Sequence, residues 1–317
     1  MTRVFIDGKE GTTGLRLFER FQNRPDITLL TLPEEVRKDP KARKELLHQA
    51  DISFLCLPDA AAKESVVLAQ GCHGKILDTS TAHRTAAGWA YGFPELSAGH
   101  RRQIETGSLV AVPGCHASGF IALAYPLVSA GAAGPDYPFS CHSLTGYSGG
   151  GKKMIAQYEA SERDKLLDSP RQYGLGQQHK HLPEMQALCG LDAPPVFCPI
   201  VGDFYAGMQV TLPIFPALLQ KKYGRKELHQ LLEAHYAGQT LVKVLPLVPL
   251  DYAETCGGFL PAGAMAGKDG MELLVAGCDE RPLLIAQYDN LGKGASGAAI
   301  QCMNILLGLK ETCGLVL

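Results

Sequence analysis

The stretch VAVPGCHASGFIALAYPLV, residues 110–128, sets a thiol, Cys115, between a β-branched run closed by Pro-Gly and a run of helical period. Phe120, Leu123, Ala124, Leu127 and Val128 recur at i, i+3, i+4, i+7 and i+8, which predicts that Cys115 lies at or near a helix N-terminus, with Pro126 placed to bend that helix. Unpaired N–H groups and the positive end of the helix dipole favour the thiolate there, and the same donors can hold an oxyanion. A buried apolar filler is the other use of such a cysteine. A thiolate beside a hydride donor suits phosphorylating aldehyde dehydrogenase chemistry, in which an acyl phosphate loses phosphate to the sulfur and the thioester is reduced. The thiohemiacetal oxygen then needs an acid or base. His179 and His181 in GQQHKHLPEM are the candidates, with Glu184 beyond them. No cysteine or carboxylate at ligand spacing turns that pair into a metal site. A cysteine hydrolase or acyltransferase without a redox step, and a nucleotide sensor without catalysis, are the competing readings.

A hydride carrier requires its own cradle. RVFIDGKEGTTGLRLF places Gly8, Gly11 and Gly14 between the first strand and the first helix, where a turn without side chains lets a pyrophosphate approach backbone N–H groups. The spacing is GxxGxxG rather than GxGxxG, and a structural turn needing positive φ is the alternative. Thr12 and Thr13 add hydroxyl donors and an N-cap. Asp7 and Glu10 bring negative charge into the same loop, leaving the pyrophosphate contacts open. At the end of the second strand Glu34 and Glu35 would suit a ribose 2′-hydroxyl, and Arg37 and Lys38 a 2′-phosphate. Spacing does not choose between them.

Such groups need a scaffold, and 317 residues suggest two domains. Up to residue 115 short strand patterns (3–7, 27–32, 51–58, 75–80, 108–114) alternate with helical ones (12–22, 40–50, 60–71), as a parallel sheet demands. Beyond Tyr125, FYAGMQVTLPI, TLVKVLPLV and MELLVAGCD suggest antiparallel strands, and residues 152–168 and 225–237 suggest helices. A final helix carries Ile300, Met303, Ile305, Leu306 and Leu309. The fold class expected is α/β: a Rossmann-like doubly wound parallel sheet with a second α+β catalytic domain. A net charge of −2 gives no electrostatic case for nucleic acid or an anionic membrane. Without an apolar window of about 18 residues or a leader-like start, the chain is expected to be cytoplasmic. Ten cysteines with no two-residue spacing are expected to be mostly buried fillers.

DGKEGTTG, LCLPDAAA, ILDTSTAHRT, VPGCHASG, YSGGGKK, HKHLPEM and DNLGKGASGAAIQ together resemble the N-acetyl-gamma-glutamyl-phosphate reductase family in its shorter, second form, over nearly the whole chain. His116, where the longer form has an aromatic residue, is a departure placed to tune the thiol or cap the helix. The resemblance implies a Rossmann domain binding NADP over 1–115, completed by a C-terminal helix in 287–317, and a catalytic and oligomerisation domain over 116–286. It implies Cys115 as nucleophile and one of His179 and His181 as acid or base. Ser80, Arg84 and Glu184 would bind substrate, with Arg84 facing its phosphate. Gly8, Gly11, Thr12, Thr13, Gly14, Ser148, Gly149 and Asn290 would serve the cofactor. The implied reaction is NADPH-dependent reduction of N-acetyl-gamma-glutamyl phosphate to N-acetyl-glutamate semialdehyde, in arginine biosynthesis. Its implied partners are the acyl phosphate, inorganic phosphate and further copies of the chain in a dimer or tetramer, with no metal.

Overall fold

A computed structural model describes residues 1–247 and 258–317. The chain divides into two compact units, Met1–Gly114 with Ala295–Leu315, and Cys115–Gly294 with the last two residues.

The first unit comprises β1 (Thr2–Asp7), α1 (Thr12–Gln22), β2 (Ile27–Leu30), α2 (Pro40–Gln49), β3 (Ile52–Leu55), α3 (Asp59–Leu68), β4 (Lys75–Asp78), β5 (Ala90–Tyr91), α4 (Ala98–Thr106) and β6 (Leu109–Ala111). Near the C-terminus a further helix, Gly297–Leu306, joins it. Its six strands run parallel in the order β2-β1-β3-β4-β6-β5. Side chains alternate across a strand, so β1 serves two cores. Val4 and Ile6 pack with Leu17 and Phe21 of α1 and with Ile300 and Met303 of the C-terminal helix. Phe5 packs on the opposite face with Leu47 of α2 and Ala62 of α3. Burying a side chain such as Phe21 or Leu47 contributes about 1.5–3 kcal/mol, and both faces of the sheet draw on that term. The strand order reverses between β1 and β3, which opens a crevice beyond their carboxyl ends.

The second unit comprises α5 (Cys115–Ser129), β7 (Ser140–Gly146), α6 (Gly151–Tyr158), β8 (Arg171–Gln172), α7 (Leu182–Cys189), β9 (Val196–Gly202), β10 (Met208–Pro213), α8 (Arg225–His235), β11 (Val242–Val244), β12 (Met271–Cys278) and β13 (Arg281–Tyr288). The C-terminal helix is α9. Seven strands form a sheet in the order β11-β12-β13-β10-β7-β9-β8. The sheet is mixed rather than antiparallel throughout: β7 pairs with β9, and β11 with β12, in parallel. The run TLVKVLPLV supplies β11, and its last residue, Val248, lies outside the described residues. α5 packs on β10 and β13 and against α7 and α8, so it is buried nearly all round. Pro126 sits inside it, within the last turn.

Two expected helices are shorter than their patterns. The one predicted over 152–168 stops at Tyr158, because Arg163 turns away to pair with Asp203 and Asp168. The last helix ends at Leu306, leaving Leu309 40% exposed outside its apolar face. No described helix is long and apolar enough to cross a membrane.

Candidate active site

The glycine turn fills the crevice beside β1. Gly8 has φ +89°, and a Cβ there would run into the carbonyl oxygen of Cys56. A Cβ on Gly14 would meet the carbonyl of Gly8 and lie 2.9 Å from Lys9 Cα. Gly11 is less confined, with its nearest neighbour at 3.5 Å. Gly11, not a threonine, is the N-cap of α1, and no side chain caps that end. Thr12 and Thr13 are the first helical residues, and Thr12 Oγ1 is buried without a partner. The acidic Asp7 is directed away from any anion at the turn: its carboxylate accepts from Arg43 Nε at 3.1 Å and Ser65 Oγ at 2.7 Å. Arg43 also holds Glu64 at 2.7 Å and bonds Ser65.

A groove of about 390 Å³ continues from this turn, walled by Phe18, Leu29, Leu32, Leu57 and Pro58 and flanked by Lys9, Arg37 and Lys38. The close backbone cradle, the uncapped helix and the orphaned Thr12 hydroxyl fit a dinucleotide's pyrophosphate, and the apolar groove fits its nucleoside. Glu34 is turned to Arg37 at 2.6 Å in an exposed pair.

Ser80 and Arg84 lie on the turn after β4. Buried Asp78 accepts from Ser80 N at 2.9 Å and Ser80 Oγ at 2.7 Å, and its Oδ2 is 2.6 Å from His83 Nδ1. The His83 ring stacks on Trp89 at 4.2 Å. Arg84 is buried, and its Nε and Nη2 donate to the carbonyls of Val112 and Thr79, each at 3.0 Å. Two of its donors therefore hold the end of the strand that leads to Pro113-Gly114-Cys115. His83 went unremarked in the sequence, because its partner is visible only once the turn is folded.

In the second unit Cys115 is the first residue of α5 and is partly exposed. Burial pushes the Cys56 thiol up to about 12 and holds Cys141 and Cys189 well above the ordinary thiol range, which makes them inert by comparison. The nine described cysteines are all free thiols. His116 does not cap the helix. It is buried, with Nδ1 2.6 Å from Ser143 Oγ and Nε2 2.6 Å from Tyr173 Oη. Its ring centroid lies 5.6 Å from those of both His179 and His181, which are 4.7 Å apart, and 5.3 Å from that of Phe197. The histidine pair thus gathers beside His116, the neighbour of Cys115. His179 is half-buried and its Nδ1 accepts from His181 N at 3.2 Å; His181 is buried at the N-cap of α7. Glu184 is buried in the first turn of α7.

Burial, reinforced by His179 and Lys180, pushes His116 down to about 3 from 6.5, so the imidazole is neutral at working pH. The unfolded chain then binds a proton that the folded one refuses between those values. The associated stability is complete above pH 6.5 and drains as pH falls toward 3, on the order of 5 kcal/mol in full. His116→Gln is expected to lower the urea midpoint at pH 7 yet flatten its decline between pH 6.5 and 4. Parallel declines in variant and wild type would refute this assignment.

Ser148, Gly149 and Asn290, distant in sequence, meet. Asn290 is buried, donates to Ser148 Oγ at 2.9 Å and accepts from Gly207 N at 2.9 Å. A Cβ on Gly149 would lie 3.5 Å from Asn290 Nδ2. The same loop brings Gly294 against Cys115, where a Cβ would fall 3.1 Å from that of Cys115. Two further contacts had no sequence signal. Tyr288 Oη donates to the Cys115 carbonyl at 2.6 Å and accepts from Gly119 N at 3.1 Å. Tyr173 is held by His116, and its phenol is raised by burial and by the nearby Cys115.

Comparison with known proteins identifies the family and the fold. A family profile described as semialdehyde dehydrogenase, dimerisation domain, matches residues 115–290. A protein of Brucella ovis named N-acetyl-gamma-glutamyl-phosphate reductase is 46% identical over 310 residues, covering 96% of this chain and 99% of its own. One of Nostoc named N-acetyl-gamma-glutamyl-phosphate reductase 2 is 43% identical over 99% of both. Among solved structures, aspartate semialdehyde dehydrogenase II of Vibrio cholerae superposes with a TM-score of 0.71 at 14% identity, covering 97% of this chain and 98% of its own. Aspartate semialdehyde dehydrogenase of Francisella tularensis also gives 0.71, at 15% identity and over 97% of this chain and 100% of its own. These structures share the fold. With relatives this similar over almost its entire length, the chain belongs to the N-acetyl-gamma-glutamyl-phosphate reductase family.

Proposed function

We propose that this chain is a cytoplasmic enzyme of arginine biosynthesis that reduces N-acetyl-gamma-glutamyl phosphate to N-acetyl-glutamate semialdehyde through a thioester on Cys115. The observation that carries the reading is a partly exposed thiol at the first residue of α5, next to a buried His116 that touches both His179 and His181. Cys115 attacks the acyl carbon, the bond to phosphate breaks, and the acyl group stays on sulfur. The N–H groups at the start of α5 stabilise the oxyanion. The glycine turn of the first unit would hold a nicotinamide dinucleotide, which would supply the hydride when bound. One of His179 and His181 protonates the thiohemiacetal oxygen and recovers that proton as the aldehyde leaves and the thiolate returns. His116, neutral and bonded at both nitrogens, positions its neighbours. Ser80, Arg84 and Glu184 are assigned to the substrate. Arg84, two of whose donors hold carbonyls, is assigned to the substrate's phosphate.

Gly8, Gly11, Thr12, Thr13 and Gly14 would hold the pyrophosphate, with Ser148, Gly149 and Asn290 serving the nicotinamide end. NADP is the assigned cofactor: Lys9 and Lys38 line the groove with Arg37, whose charge Glu34 pairs. A homo-oligomer, dimer or tetramer, is assigned on the dimerisation description of the matched profile.

The test runs the reaction backwards. With inorganic phosphate and NADP, N-acetyl-glutamate semialdehyde is expected to be oxidised at least about 100-fold more efficiently than aspartate semialdehyde, a difference of about 2.7 kcal/mol. Lys38→Glu is expected to cut the preference for NADP over NAD at least about tenfold. Folded protein that reduces no nicotinamide with either aldehyde, or does so without phosphate, would overturn the reading.

A further inference from the structure

Tyr288, the last residue of β13, has no exposed surface. Its hydroxyl stands between the carbonyl of Cys115 and the N–H of Gly119, donating to the first and accepting from the second. Residues four apart are the pair that an α-helix joins directly, so the phenol bonds both ends of the first turn of α5. Gly119 provides the slot: a Cβ there would lie 2.6 Å from the phenol oxygen and 2.8 Å from Cε1. Burial and the adjacent Cys115 hold the phenol well above its ordinary pKa, so it remains a donor.

A peptide group is planar and trans, so the carbonyl of Cys115 and the N–H of His116 point in opposite directions. Helical carbonyls point toward the C-terminal end, so this N–H points out of the N-terminal end, the direction in which the Cα–Cβ bond of Cys115 also tilts. Pinning the carbonyl therefore fixes the donor beside the sulfur. Resting on the reading of Cys115 as nucleophile, we infer that Tyr288 is a positioning residue. Its hydroxyl, seated against Gly119, holds the Cys115–His116 peptide so that the His116 N–H faces the oxyanion on the sulfur-bound carbon. The phenol acts through the backbone and does not touch substrate.

Removing the hydroxyl tests this without orphaning a polar group, because Gly119 N–H and the Cys115 carbonyl remain each other's partners in the helix. The peptide loses its anchor and shifts. Tyr288→Phe is expected to lower kcat about 10²-fold with KM for the acyl phosphate within about threefold. Alkylation of Cys115 by iodoacetamide, followed on its tryptic peptide, forms no oxyanion and is expected to stay within about threefold of wild type. Gly119→Ala keeps the phenol but displaces it, and is expected to reproduce the same split. A folded Tyr288→Phe protein with wild-type kcat, or one whose alkylation falls as far as its turnover, overturns the inference. If wild-type protein alkylated at Cys115 stays active, the nucleophile reading fails and the inference falls with it.

Discussion

Cys115→Ser is expected to lose at least about 10⁴-fold in turnover while still binding the dinucleotide and melting close to wild type. Serine is nearly isosteric, so the start of α5 and the contact with Gly294 are retained. What disappears is the nucleophile. A serine hydroxyl is scarcely ionised at neutral pH, and the bonded state of His116 leaves it unsuited to take the proton. Dinucleotide binding survives because the glycine turn belongs to the other unit. The measurement pairs phosphate-dependent nicotinamide reduction with titration of nicotinamide fluorescence. Turnover within tenfold of wild type, with binding intact, would exclude a covalent route through this sulfur.

The second large effect concerns the turn itself. Gly8→Ala places a methyl group at φ +89° against the backbone oxygen of Cys56, which follows β3 and has no flexible end to swing aside. Left-handed strain and overpacking together cost about 3–5 kcal/mol. The melting temperature is expected to fall by roughly 6–15 °C, and dinucleotide affinity by at least about 100-fold. Gly11→Ala is the internal control. Its φ is −72° and its nearest neighbour is 3.5 Å from the added carbon, so a cost below about 1 kcal/mol is expected. Equal losses in the two variants would show that composition, not the conformation at Gly8, sets the binding.

The parallel sheet was readable because its strands are buried on both faces, so ISFL and RVFID stand out as apolar runs between helices of clear period. α4 was missed: only Ile104 of AGHRRQIET is buried, too little to print a helical stripe. In the second unit β7, β9 and β13 escaped notice. SCHSLTG is largely polar, and Pro199 interrupts VFCPIVG although it sits comfortably within β9. Cys115, the histidine pair, Ser148 and Asn290 were nameable from residue type and resemblance; that Ser148 and Asn290 bond each other was not. Tyr288 was not, because a tyrosine closing an apolar strand reads as packing until a helix 173 residues earlier is folded against its hydroxyl. The threonine cap failed for a local reason: the chain turns one residue sooner, at Gly11.

The chain has a single tryptophan, and it is Trp89, face to face with His83. Every photon of indole emission therefore originates beside the turn that holds Ser80 and Arg84. The protein carries its own optical reporter there, so an anion arriving at that turn can be followed in real time without a dye, a label or a coupled assay.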